Sequence, residues 1–588
     1  MLLRANKYFA ADRGSSEPLD VVEWLRRVLI RSSGLPAVLC AAFVAVANPA
    51  GATSEFGNYL AGRHAQALKD AENASAFMMR VLEENPEDQK LLRRAFLLTL
   101  AAGQVEPAVA LAQRIEKAGG KMTTAALLLG IEAVRAGDFT AARDCFEALP
   151  RSGLTAYAAP LAIAWTQVGL GDTDAALKAL EPLDKKSGFA AMRDLHAGLI
   201  NDVAGRPEAA EQSFRAVAPT LHKAPVRVVR AAGSLLERTG RATEAKKLYA
   251  DFLADNPGNL AIEAAQNRLN AAQAAAPLVQ NANSGIAESL FNIASALPRD
   301  RSGEIAMIYA YLALRLRPDF DLARLLLGDL FDNQRRYTDA NAVYAQVKKV
   351  SPYNWSARLR IADNLTDLKQ VDDAVEMLRA MAEERPERTD ALIKLGGILR
   401  GKERYREAVD AYDAAGDRLN TNGNAPSWLF YYNRGIALER SKLWDRAEKD
   451  FLKALELEPE QPYVLNYLGY SWVEKGINVE RARKMIERAV EQRQNDGYIV
   501  DSLGWVLYRL GDYAGSVKHL ERAIRLRPSD PVINDHLGDA YWRVGRKLEA
   551  RFQWRRALGL DPSDDLISTI EDKLVKGLGA MKLKESGG

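Results

Sequence analysis

One period governs this chain. The triplets Tyr467-Leu468-Gly469, Ser502-Leu503-Gly504 and His536-Leu537-Gly538 recur at steps of 35 and 34 residues, and Pro528 and Pro562 keep a step of 34. A unit of that length is one supersecondary element that cannot bury its apolar face alone, so successive copies must stack. Carried backward, the phase finds Gly435, Gly396, Ala362 and Gly328, each followed twelve residues later by Ala447, Ala408, Ala374 and Ala340. Small residues at that spacing mark where two helices touch, because larger side chains would force the axes apart. One helical turn further on come Tyr344, Leu378, Tyr412, Phe451, Leu520 and Trp554, which fill the space between hairpins. Pro352, Pro386, Pro459, Pro528 and Pro562 then stop the second helix. Each unit reads helix, turn, helix, stop, which makes the chain all-α.

The N-terminal half keeps the phase. Gly62, Phe96, Gly130, Ala164, Gly198 and Gly233 are 34 or 35 residues apart and are matched by Ala74, Ala108, Ala142, Ala176, Ala210 and Ala245. Gly103, Gly171, Gly205 and Gly240 fall seven residues after their markers, where the chain must turn. Between the halves, 271–285 is rich in Ala, Gln and Asn and carries Pro277, which predicts a linker or hinge. The expected organisation is a leader over 1–52, an array over 53–270, the linker, an array over 286–564, and a capping helix and tail over 565–588. The unit after the linker is irregular, with helices expected over 285–297 and 304–317 around a turn at 298–303. A polar insertion at 420–426 should project from one edge.

Arg26, Arg27 and Arg31 precede an apolar run from Leu35 to Ala47, followed by Ala50-Gly51-Ala52. The run is shorter than the roughly 20 residues of a spanning helix, so it reads as a secretory signal cleaved after Ala52, with a start codon near Val21 or Val22 as one possibility. A cytoplasmic protein with an apolar first helix is the alternative. Leu39 stands where a lipobox carries a small residue, which argues against a lipid anchor on Cys40. Once the leader is gone, Cys145 is the only thiol and no intramolecular disulfide is available. Lys plus Arg number 80 against 77 Asp plus Glu, so no global field favours nucleic acid. No transmembrane span is expected in the mature chain.

These hairpins resemble the tetratricopeptide-repeat (TPR) family over nearly all of the mature chain. The resemblance implies a helical-hairpin solenoid, a superhelix of about 13–14 repeats. More narrowly, the run Asp501 to Gly511, the leader and the two-part array look like secreted bacterial TPR adaptors, whose relatives include an outer-membrane partner of a carboxy-terminal processing protease. That likeness implies protein partners, namely such a protease and the cell-wall hydrolases presented to it, in the periplasm or at the outer-membrane periphery. An adaptor for polysaccharide or envelope assembly is the second reading. In the family, one stripe of each first helix lines the concave groove. Here it reads Tyr432, Ile436, Glu439, then Asn466, Tyr470, Val473, then Asp501, Trp505, Tyr508, then Asp535, Asp539, Trp542. Tyr463, Tyr498, Arg509 and Arg543 flank it and complete the predicted partner-binding set. Aromatic rings give contact area at little entropic cost, and arginines can pair with a partner's carboxylates. Trp505→Ala and Tyr508→Ala are therefore expected to weaken capture while sparing the fold.

No phosphate-binding, zinc-protease or nucleophile-elbow motif occurs in the chain. The five histidines are scattered, His536 reads as a helix-face residue, and Cys145 reads as a buried core thiol. No catalytic residue, metal or cofactor is expected.

Overall fold

A computed structural model describes residues 54–184, 189–421 and 423–579, apart from the side chains of 300 and 301. The leader expected over 1–52 lies outside the described residues. Among the described residues every long element is helical, with thirty α-helices between Glu55 and Lys576.

The hairpin of helices Gly497–Arg509 and Tyr513–Leu526 shows why the sequence folds this way. The Asp496 carboxylate accepts from the amides of Tyr498 at 3.0 Å and Ile499 at 3.4 Å, satisfying donors that the first turn leaves free. Gly511 turns the chain at φ 85°, and Asp512 caps the second helix by accepting from Gly515 N at 2.8 Å. The turn glycines read from the sequence, Gly103, Gly171, Gly205 and Gly240, also have positive φ. Lys69, Arg335, Lys369, Glu403 and Lys442 hold comparable turns at φ 60–66° without glycine, so the turn itself is the constant feature.

The small-to-large pairing is direct contact within each hairpin. A Cβ added to Gly504 would lie 2.6 Å from Leu520 Cγ, and one added to Gly435 or Gly396 would lie 2.8 Å from the Phe451 or Tyr412 ring. Gly328, Gly130, Gly198 and Gly233 sit in the same way under Tyr344, Phe146, Phe214 and Tyr249. All these large side chains are buried, so each marker glycine is a socket for a large side chain of its own hairpin.

The chain divides into two compact units that meet at Gln370 and Val371, and the 271–285 segment lies inside the first. That segment is packed. Val279 is buried, and Ser234 Oγ donates to the carbonyl of Ala276 at 2.7 Å. Helix Ala282–Ala296 starts on a capping box between Asn281 and Ser284. The next helix runs from Arg299 to Leu316 with a kink at Ser302, where an open turn was expected. These two helices fold back onto the earlier hairpins. The first packs on helices Thr123–Ala136, Thr155–Gly169 and Ala190–Val203, and the second on Gln89–Ala101, Val105–Lys117 and Thr123–Ala136.

The fold-back is pinned at three places. Gly285 lies against the Trp165 ring so closely that no Cβ fits. Arg227 Nε donates to Glu288 Oε1 at 2.9 Å, and Glu288 is wholly buried. Arg315 Nε donates to Glu132 Oε1 at 2.9 Å, and Arg315 also pairs with Glu106. Residues 282–316 therefore form an internal plug against the first helices of the N-terminal hairpins.

Candidate functional site

The predicted partner-binding residues all lie in the unit beginning at Val371, and the structure separates them into two groups. Asp501, Asp535, Asp539, Tyr470 and Tyr508 are buried and engaged within the chain. Tyr432, Tyr463, Asn466, Tyr498, Trp505, Arg509, Trp542 and Arg543 keep partial exposure.

The buried group is a set of internal clamps. Asp501, wholly buried, accepts from His536 Nδ1 at 3.0 Å. Burial pushes its carboxyl group up from the ordinary carboxylate range, and the adjacent His536 opposes the shift. Lys573 Nζ, on the terminal helix Asp564–Lys576, donates to both oxygens of Asp535 and to Asp539 Oδ2, each at 2.8 Å. Burial, reinforced by Asp535, raises Asp539 to about 6. Trp554 Nε1 donates to its other oxygen at 2.9 Å. Tyr508 accepts from Arg543 Nε at 3.2 Å, and Arg543 Nη1 donates to the carbonyl of Gly579 at 2.7 Å. The Trp542 ring packs on Gly577 and lies beneath Lys547 at 5.3 Å and Arg551 at 5.8 Å. Asp535, Asp539, Trp542 and Arg543 thus hold the terminal segment in place.

What stays open is centred on Trp505. Its ring stacks on His536 at 4.0 Å and on Tyr508 at 4.8 Å, within 16° and 9° of parallel. Its indole N–H donates to Glu474 Oε1 at 2.8 Å, and Arg509 Nη1 donates to the same oxygen at 2.8 Å. The ring is held by stacking and by a hydrogen bond while one part remains exposed, so little rotamer entropy is left to lose on contact. Along the same stripe, Tyr432 meets Tyr467 edge-on at 6.1 Å, and burial raises the Tyr432 phenol. Tyr463 and Tyr498 lie beneath Arg493 at 5.6 Å and Arg527 at 5.1 Å. Asn466 Oδ1 is a buried acceptor with no hydrogen-bond partner among the described residues.

Three residues that organise this site were not singled out from the sequence: Glu474, Lys573, and His536 as a stacking partner. Glu474 had a signal. Glu439, 35 residues earlier, accepts from Tyr467 at 3.1 Å, as Glu474 accepts from Trp505. Lys573 had none, because the contact depends on where the terminal helix docks.

The Asp501–His536 pair could move a proton only if a substrate atom reached it, and both groups are buried. Among the described residues no His, Cys, Asp and Glu cluster could hold a metal, and no helix is long and apolar enough to cross a membrane. Cys145 is half-buried rather than buried, and burial with Glu116, Asp144 and Asp138 raises its thiol.

Tetratricopeptide-repeat family models match residues 359–427 and 428–461, and a TPR repeat model matches 504–545. TPR repeat-containing protein PA4667 of Pseudomonas aeruginosa is 28% identical over 199 residues, covering 34% of this chain and 33% of that protein. Human protein O-mannosyl-transferase TMTC1 is 28% identical over 165 residues, covering 28% of this chain and 18% of that protein. The chain therefore spans about a third or less of the length of these relatives. Among solved structures, the one titled crystal structure of APC/C hetero-tetramer Cut9-Hcn1 covers 90% of this chain and 97% of its own at 14% identity, with a TM-score of 0.37. YrrB, titled a TPR protein with an unusual peptide-binding site, covers 34% and 99% at 20% identity, with a TM-score of 0.26. The hairpins over residues 359–461 and 504–545 match tetratricopeptide-repeat models.

Proposed function

We propose that this protein is a non-catalytic scaffold of the bacterial cell envelope that brings a carboxy-terminal processing protease to cell-wall hydrolase substrates. The observation that carries the contact surface is the half-exposed Trp505, fixed between His536 and Tyr508 and bonded to Glu474 beside Arg509. A held aromatic ring with an adjacent guanidinium suits a polypeptide that offers an apolar side chain and a carboxylate. Tyr432, Tyr463 and Tyr498 extend the surface across successive hairpins. Holding two partners on one chain raises their effective concentration without any reacting group.

The test is affinity capture from envelope extract with the full chain and with a Trp505→Ala, Arg509→Ala variant, after circular dichroism has shown equal helicity. Recovery of a processing protease by the parent chain and its loss in the variant is the expected result. Partners drawn instead from polysaccharide assembly, or only from cytosol, would overturn the protease assignment or the envelope location.

A further inference from the structure

Most arginines of the N-terminal unit have carboxylate partners, but four cations around one cleft do not. The cleft, about 890 Å³, lies between the first hairpins and the plug. Its rim carries Lys69, Lys90, Arg93 and Arg94, and none of the four forms an ion pair among the described residues. Arg94 donates to Gln66 at 2.6 Å and faces the Tyr59 ring, while its Nε is buried without an acceptor. Arg336 also lines the cleft but is neutralised by Asp339 at 2.7 Å, and among the described residues Glu304 is the only carboxylate in the lining. Uncompensated cations of this kind attract an anion.

The floor is apolar. Leu97 and Ile305 are about two-fifths exposed there, beside the buried Met307 and Ile308. Helices Thr123–Ala136 and Thr155–Gly169 also begin at the cleft, and their N-terminal dipole ends add positive potential. Gln66 and Gln334 supply side-chain amides at the lining; Gln334 uses its nitrogen on Met307 Sδ, which leaves the oxygen as an acceptor. Amides of this kind pair with peptide groups and have no counterpart in a fatty acyl chain.

We infer that this cleft is a second binding site, for an acidic polypeptide segment that places an apolar side chain on Leu97 and Ile305 and carboxylates on Lys90, Arg93 and Arg94. The site is separate from the Trp505 surface and does not depend on it. The plug forms one of its walls.

The experiment is fluorescence anisotropy on the full chain with a fluorescein-labelled synthetic peptide of alternating glutamate and leucine. Binding should weaken about tenfold or more in the Lys90→Glu, Arg93→Glu variant and in Leu97→Ser, and should weaken with added salt. Trp505→Ala, Arg509→Ala, which disables the other surface an apolar, carboxylate-bearing peptide could use, should retain binding at the cleft. Should the charge-reversed variant lose helicity, Leu97→Ser decides alone. Equal binding of a lysine–leucine peptide, unchanged binding in the variants, loss in the Trp505 variant, or binding of laurate without binding of the peptide would each overturn the assignment.

Discussion

The indole N–H of Trp165 donates to Nδ1 of His196 at 3.0 Å, and both side chains are wholly buried. An accepting Nδ1 requires the neutral ring with its proton on Nε2. That nitrogen lies 3.2 Å from the Asn292 amide on the plug, so the side-chain oxygen of Asn292 should face it.

Burial lowers His196 to about 4. For a histidine held neutral, the stabilisation is fully present above its unfolded pKa near 6.5 and is lost as pH falls toward 4. The N-terminal unit should lose up to about 3 kcal/mol over that window. Urea unfolding at pH 7.5 and pH 4.5 checks this, and His196→Gln should flatten the slope.

Asp539 should give the opposite slope in the C-terminal unit. Its pKa, raised to about 6, means that the fold prefers the protonated acid, so this contribution is greatest below the unfolded value near 4 and declines as pH rises through 6. Asp539→Asn keeps an acceptor for Trp554 and should be no less stable than the parent at pH 7. Lys573→Ala leaves two buried carboxylates without their cation and should cost about 3–5 kcal/mol at that pH. Denaturation curves followed by tryptophan fluorescence would measure both.

Gly504→Leu should cost about 1–3 kcal/mol by crowding Leu520. Tyr508→Ala is a core substitution, contrary to the expectation that it would spare the fold, and should cost about 3–5 kcal/mol. The half-exposed Trp505 should cost less than Tyr508 when truncated, and parallel melting curves rank the three.

Arg227→Met strands Glu288 in the interior and should cost about 3–5 kcal/mol. The loss should appear as faster limited proteolysis within 271–281, since the plug is what that segment delivers.

The hairpins were legible because their determinants are local: Gly504 and Leu520, or Gly435 and Phe451, lie 16 residues apart in one repeating phase. Gly285 followed no such phase. Its reason is Trp165, on a different hairpin, and no spacing rule connects the two. The stripe was legible as a pattern, but exposure was not. Asp535 and Asp539 look like free carboxylates until Lys573 arrives from the terminal helix. Repetition identifies which residues share a face, and only tertiary packing decides which of those faces remain uncovered.

Ordinary repeat arrays can mature one unit at a time, because each hairpin needs only its neighbour. The Arg315–Glu106 pair joins residues 209 apart, so the early hairpins of the N-terminal unit cannot be completed until the plug helices exist. At ribosomal rates of about 5–20 residues per second, the early hairpins wait roughly 10–40 s for their own core. Throughout that interval the newborn chain presents an apolar inner face that the finished protein mostly covers.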